Sequence, residues 1–279
     1  MSSDLEDNPK RHKPNPEDDQ EGSEDEQQVE ADFLFNDPSE EDKDGILTLI
    51  QGSMKKFSWE VPQKYGSSYS YLAELISNQG NIGTLIKVED EESSYVMAVL
   101  TLLNINQYDG LDGIGKSLIA AAKVHGAKDD SKKLQDILSD KKNQIALVIN
   151  ERMHNVPAQL IGQFQECLQD DIKWSLSSVD EEEEREFYKF THLIGITRVY
   201  MESGKGKEGE YVYLKPEEQF YVEEATVKFM WATGESNKIY TDANETGKKF
   251  KILPEHALFF CVPFSRYASI VKKIAKTFK

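Results

Sequence analysis

Apolar residues recur along this chain at two spacings: every second residue, as in half-buried strands, and every third or fourth, as in helices. Val29, Ala31, Phe33 and Phe35 form the first alternating set and predict a strand. Asp44 is placed to cap a helix whose apolar face is Ile46, Leu49, Ile50 and Met54. A second helix over Tyr69–Ser77 carries Leu72, Leu75 and Ile76, and Asn78-Gln79-Gly80-Asn81 stops it. Thr84–Val88 and Tyr95–Ile105 read as strands joined by the acidic turn Glu89–Ser94, hence an antiparallel hairpin. Helices follow near Gly115–His125 and Ser131–Ser139, then a short, fully buried strand at Ile145–Ile149.

The second half continues in the same way. Asn155-Val156-Pro157 opens a helix, with Asn155 as cap, Pro157 in the first turn, and Leu160, Ile161, Phe164, Cys167 and Leu168 as its stripe. A short helix over Asp180–Tyr188 starts from a Ser178-x-x-Glu181 capping box. Strands are expected at Leu193–Met201, Tyr211–Leu214, Ala225–Trp231 and Ala257–Val262, with a Lys/Gly loop at Ser203–Glu210. Ser265 caps a final helix with Tyr267, Ile270, Val271, Ile274 and Phe278 on one face. Lys272, Lys273, Lys276 and Lys279 decorate the rest of it, complementing the helix dipole. Strands mixed with helices and at least one hairpin predict a single α/β domain with a mixed, largely antiparallel sheet flanked by helices.

Charge changes this picture at one end only. The 279 residues carry a formal charge of −17. Residues 1–44 hold 17 acids against 4 bases, whereas the rest is nearly balanced at 33 acids and 29 bases. Residues 1–28 are almost free of apolar side chains and are expected to be a disordered acidic tail, with the folded domain over 29–279. Such a balance speaks against binding nucleic-acid phosphates, which needs a positive surface, and favours basic partners. Within the tail, Lys10, Arg11 and Lys13 fit a minimal nuclear-localisation cluster. Cys167 and Cys261 lie in apolar contexts and read as buried thiols. No apolar stretch approaches the roughly 18 residues of a membrane helix, and the acidic N-terminus predicts no secretory signal.

Two motifs suggest chemistry. Gly110-Leu-Asp-Gly-Ile-Gly115-Lys116-Ser117 satisfies the phosphate-binding form GxxxxGK[ST], in which backbone N–H groups cradle phosphates, the Lys contacts them and the Ser binds Mg²⁺. Three features oppose it: Asn106–Asp109 separates it from its strand, that strand reads as part of a hairpin, and Ile145–Ile149 is followed by Asn150-Glu151 rather than Asp. The second reading is coenzyme A-dependent acetyl transfer, whose loop is Q/R-x-x-G-x-G/A between strand and helix. Gly110-x-x-Gly113-x-Gly115 lacks the leading Gln or Arg, and Gln107-x-x-Gly110 ends in Asp112, so the pattern is broken in both registers. The five histidines are scattered, and no metal or cofactor is implied.

The segment Ile145-Ala-Leu-Val-Ile-Asn-Glu-Arg-Met-His-Asn-Val-Pro-Ala-Gln159 resembles the hallmark of the BCCIP/BCP family, a hydrophobic strand followed by [SN]-E-R-x-x-N-[VI]-P-x-Q. Asn150, Glu151, Arg152, Asn155, Pro157 and Gln159 match; His154 and Ala158 depart from the usual apolar residue and second Pro. Ala31–Phe35, Ile82–Lys87, Leu102–Asn104 and Glu217–Phe229 resemble further family stretches in order and spacing. The resemblance implies a fold like that of GCN-related acetyltransferases without the coenzyme motif, and a non-enzymatic nuclear adaptor or chaperone that shuttles to the cytoplasm. It implies protein partners: a basic large-subunit ribosomal protein, a phosphoinositide kinase exported from the nucleus, and in animals cell-cycle and recombination proteins. Asn150, Glu151, Arg152, Asn155, Pro157 and Gln159 are thereby candidates for binding the partner, with the acidic tail speeding capture and a surface near Glu151–Gln159 fixing it; the bland account of the motif is structural, with Glu151 and Arg152 as an internal ion pair and Asn155 as a helix cap.

Overall fold

The computed structural model describes residues 32–53, 57–89, 94–201, 211–244 and 247–279. The expected tail, its basic residues Lys10, Arg11 and Lys13, the start of the first strand at Val29, Met54, most of the acidic turn and the Lys/Gly loop lie outside them.

Among the described residues one eight-stranded sheet organises the fold. Its strands are β1 (Phe33–Asn36), β2 (Thr84–Glu89), β3 (Ser94–Asn104), β4 (Ile145–Arg152), β5 (His192–Tyr200), β6 (Val212–Tyr213), β7 (Val227–Asn244) and β8 (Gly247–Pro263). They lie in the order β1-β2-β3-β4-β5-β8-β7, with β6 also paired to β5. Every pairing is antiparallel except β4 with β5. The expected β2–β3 hairpin is present. This is the α/β class read from the sequence, with a mixed, largely antiparallel sheet flanked by helices.

Helices α1 (Lys43–Ser53), α2 (Ser68–Asn78), α3 (Asp112–His125) and α4 (Lys128–Ser139) cover one face of the sheet. Helices α5 (Leu160–Ser178) and α8 (Tyr267–Thr277) cover the other, with α6 (Glu182–Glu186) and α7 (Gln219–Glu223) as short connectors. Alternation along the strands divides the core accordingly. Val99 and Leu103 of β3 join Ile46, Leu72 and Leu118 on the first face. Leu100 and Leu102 join Phe164, Leu168 and Ile270 on the second. A sheet buried on both faces needs continuous apolar strands, and β3 is buried from Val96 to Asn104.

Several local expectations change. The capping box before α1 belongs to Ser39 and Asp42, whose carboxylate accepts from the Ser39 N–H at 3.0 Å; Asp44 falls in the first turn. No cap is made by Ser178, which is the last residue of α5, or by Ser265, which sits in a single 3-10 turn before α8. Cys261 is buried in the sheet, but Cys167 is only half-buried. Strands β7 and β8 are 18 and 17 residues long, far beyond their apolar cores, because each satisfies the other's backbone past the point where β5 ends.

Candidate functional site

Strands β4 and β5 run parallel but pair only at Ile145–Leu147 with His192–Ile194. Beyond that they part, and the carboxyl ends of parallel strands in an open sheet are where such folds bind ligands. Here the gap is filled by the chain itself. Strand β6 takes the edge of β5 that β4 leaves, through Val199 with Tyr213 and Tyr200 with Val212. The Leu214 N–H then donates to the Arg198 carbonyl at 3.1 Å, which drives Lys215–Glu218 between the two strand ends.

The polar half of the sequence motif meets this insertion. Strand β4 runs on past its apolar core through Asn150, Glu151 and Arg152, all wholly or largely buried. Asn150 donates to Glu217 at 3.0 Å and to Glu218 at 3.2 Å. Arg152 grips Glu217 with both terminal guanidinium nitrogens, the Nη2 contact at 2.9 Å. Lys215 donates to the Asn150 carbonyl and lies 3.0 Å from both Glu151 and Glu218. Thr197 of β5 donates to Glu218 and so ties the second strand to the same cluster. Alternation places Glu151 and Arg152 on opposite faces, so they do not pair with each other as expected; each finds its partner in Lys215–Glu218.

Three carboxylates share this buried cluster with two cations, and the imbalance sets the charges. Burial pushes the Glu218 carboxyl up to about 7; Lys215 opposes the rise, while Glu217 and Glu151 add to it. Burial would also raise Glu217, but the hydrogen bonds and charge of Arg152 outweigh it and hold that carboxyl below its ordinary value. Burial pulls Lys215 down, and the carboxylates of Glu151 and Glu218 more than reverse this. Glu218 is therefore the member that takes up a proton, since one carboxylate is in excess of the cations.

The exposed half of the motif is a surface loop. Asn155 does not cap α5, which starts five residues later at Leu160; two successive turns intervene, closed by Val156 N–H to the Met153 carbonyl and Leu160 N–H to the Pro157 carbonyl. Met153, His154, Asn155, Ala158 and Gln159 are exposed, and Pro157 is half-buried. The turn after β4 is where a coenzyme diphosphate would sit at a helix N-terminus. It reads Gln159-x-x-Gly162-x-Phe164, a register that sequence reasoning missed. Phe164 stands where a small residue is required and packs edge-on against Phe35 at 6.1 Å. A Cβ on Gly162 would lie 3.1 Å from both the Ala275 Cα and the Phe278 carbonyl oxygen, so α8 covers this turn. These residues do not fit a coenzyme.

Nor do the residues of the GxxxxGK[ST] pattern form a phosphate loop. Helix α3 starts at Asp112, so Gly115, Lys116 and Ser117 are already helical and only Gly110 precedes the helix. Gly110 has φ of 89° and makes the turn; Gly113 is needed because a Cβ there would lie 2.5 Å from the Glu60 carbonyl oxygen. Lys116 is exposed and paired with Asp112 at 2.6 Å. The neighbouring cavity, about 400 Å³, is lined by Asp109, Asp112 and Asp140 against one cation, Lys141, a net negative wall that disfavours phosphate.

Lys215, Thr197 and Arg198 carried no sequence signal, and Glu217 and Glu218 lay in a family-like stretch without a role. Comparison with known proteins now decides the kinship: a family model described as BCCIP matches residues 28–248. The chain belongs to the BCCIP family. This BCCIP-family chain is 27% identical over 210 residues to Protein BCCIP homolog of Arabidopsis thaliana, covering 72% of the chain and 62% of that relative. It is 28% identical over 218 residues to Protein bcp1 of Schizosaccharomyces pombe, covering 71% and 72%. The crystal structure of BCP1 from Saccharomyces cerevisiae superposes with a TM-score of 0.57 at 18% identity, covering 92% of this chain and 93% of that one, and so shares the fold. Among the described residues no group of His, Cys, Asp and Glu could hold a metal ion, and no helix is long and apolar enough to cross a membrane.

Proposed function

We propose that this BCCIP-family chain is a non-enzymatic adaptor or chaperone that binds protein clients, first among them a basic large-subunit ribosomal protein, with a phosphoinositide kinase as a second class. The observation that carries this reading is the insertion of Lys215–Glu218 between β4 and β5, which occupies the crevice where a fold of this topology takes a ligand. A platform whose cleft is filled by its own chain acts through its surface. Family membership supports an adaptor-type, non-catalytic role.

Residues 1–44, with 17 acids against 4 bases, supply the electrostatics. A strongly basic client binds RNA indiscriminately before assembly; a polyanionic segment raises its capture rate and screens it, while the nearly neutral domain supplies specificity. The exposed loop Met153–Gln159 is the surface assigned to the client. Work in the nucleus, with Lys10, Arg11 and Lys13 as import signal and shuttling to the cytoplasm, belongs to the same proposal, as does support of ribosome biogenesis and export.

The test is capture on the full chain from native nuclear extract, followed by association kinetics with the purified client at several salt concentrations. A basic client whose on-rate falls steeply with salt, and falls less steeply after deletion of residues 1–28, is expected. Micromolar binding of acetyl-CoA, ATP or GTP with no protein client would replace the adaptor reading.

A further inference from the structure

Helices α5 and α8 pack side by side on the second face of the sheet, the start of α5 against the end of α8: a Cβ on Gly162 would lie 3.1 Å from the Ala275 Cα. Between them runs a groove of about 770 Å³ with Val271 and Ala275 in its lining. Along α8 it reaches from Ala268 to Lys279, about 16 Å at the helical rise, or three turns.

The two rims of the groove differ in charge. On α8, Lys272, Lys276 and Lys279 stand four and three residues apart and so share one stripe. On α5, Gln159, Gln163 and Glu166 repeat that spacing. Three ammonium groups thus face one carboxylate, on a domain that is otherwise slightly acidic, with 33 acids against 29 bases over residues 45–279. These cations are exposed and idle. Among the described residues none of the three makes an ion pair or a side-chain hydrogen bond. Lys273, outside the groove, is by contrast paired with Glu224 at 2.7 Å. The amides of Gln159 and Gln163 are unbonded as well.

We propose that this groove docks an acidic amphipathic helix of a second protein partner, its carboxylates along the Lys272–Lys276–Lys279 stripe and its apolar face on Val271 and Ala275. A helix of this kind carries acids at i, i+4 and i+7 and apolar residues at the same period, so it uses both the cationic rim and the apolar floor. Its charge complements the groove, whereas a basic client is repelled from it. A nucleic acid needs a broad positive surface, which a nearly balanced domain lacks. A membrane needs apolar side chains that stand proud, and Val271 is 3% exposed. The proposal goes beyond the adaptor reading: the chain would hold two partners of opposite charge at two places.

The experiment follows the methyl signals of Val271 and Ala275 by NMR in the full chain. The probes are a capped, helix-forming peptide with Glu at i, i+4 and i+7 beside a Leu stripe, its counterparts with Gln or Lys for Glu, and phosphatidylserine vesicles. Saturable shifts are expected with the Glu peptide below about 1 mM, weakening as salt rises. The Gln peptide should bind at least about tenfold more weakly, about what three rim ion pairs supply together. Lys272→Gln/Lys276→Gln should lose about fivefold, and Lys272→Glu/Lys276→Glu should prefer the Lys peptide, both with an unchanged urea midpoint. Equal binding of the Glu and Gln peptides, no saturable shift, or lysine variants that bind like the parent would each overturn the site. Vesicle binding without peptide binding would overturn the helix in favour of a membrane. Groove signals that move, with no probe present, on deletion of residues 1–28 or on dilution would mean that this chain or its copy fills the groove, and would overturn the second partner. Capture of a basic client is a separate readout, so failure here leaves the adaptor reading standing, and the converse.

Discussion

Arg152, at the end of a strand, and Glu217, 65 residues further along the chain, form a two-pronged ion pair in which the carboxylate is wholly buried. The pair closes the space that two diverging parallel strands open, and it accounts for two of the charges that interrupt otherwise apolar segments. Buried pairs of this kind add little net stability compared with apolar residues, but breaking one leaves an uncompensated charge.

Glu217→Ala or Arg152→Ala should therefore each destabilise the protein by about 3–5 kcal/mol in urea unfolding. The Arg152→Met/Glu217→Leu double variant should recover most of that loss. Additive losses in the double variant would show that the two residues act independently.

The proton on Glu218 gives a pH signature. Its carboxyl rises from 4.5 in the unfolded chain to about 7 in the folded one. Between these values the native state holds a proton that the unfolded chain releases, so this group withdraws stability as pH rises through the window. Glu218→Gln should gain stability relative to the parent between about pH 5 and about pH 7.5, read from urea midpoints. Parallel pH profiles for the two proteins would refute the assignment.

The glycines and lysine of the GxxxxGK[ST] pattern should separate packing from phosphate binding. Gly113→Ala forces a Cβ onto the Glu60 carbonyl and should cost about 1–3 kcal/mol. Lys116→Ala removes only an exposed pair with Asp112 and should leave the unfolding midpoint unchanged. Isothermal titration with ATP or GTP should detect no binding in either protein; micromolar binding lost in Lys116→Ala would restore the nucleotide reading.

The two thiols should report different depths. Burial pushes Cys261 up to about 12, and it lies within the sheet. Alkylation with N-ethylmaleimide at neutral pH should label Cys167 first and reach Cys261 only as the sheet opens, resolved by peptide mass spectrometry. Equal labelling rates would mean that β8 opens as readily as the surface of α5.

Elements with strong local patterns were legible. The β2–β3 hairpin, α2 and α8 follow from apolar spacing that any neighbour of the right polarity would satisfy. The acidic excess of residues 1–44 and the Asn150–Gln159 motif also stand in the sequence as written. The motif's division was hidden. Glu151 and Arg152 look like partners of each other until the strand sends them to opposite faces, and Asn155 looks like a cap until two extra turns delay the helix. The long ends of β7 and β8 were equally hidden, because backbone pairing, not an apolar stripe, sustains them.

What the sequence determined by itself is therefore the class of the fold and the place of the charge, properties of local spacing and composition, and the resemblance of the Ile145–Gln159 segment to a family motif. What only the tertiary structure decided is that β4 and β5 part after three residue pairs and that Lys215–Glu218 enter the gap. The reason is physical. A buried charge is tolerated only beside its partner, and these partners meet through a parallel pairing and a return of the chain from 65 residues away, which no local window contains.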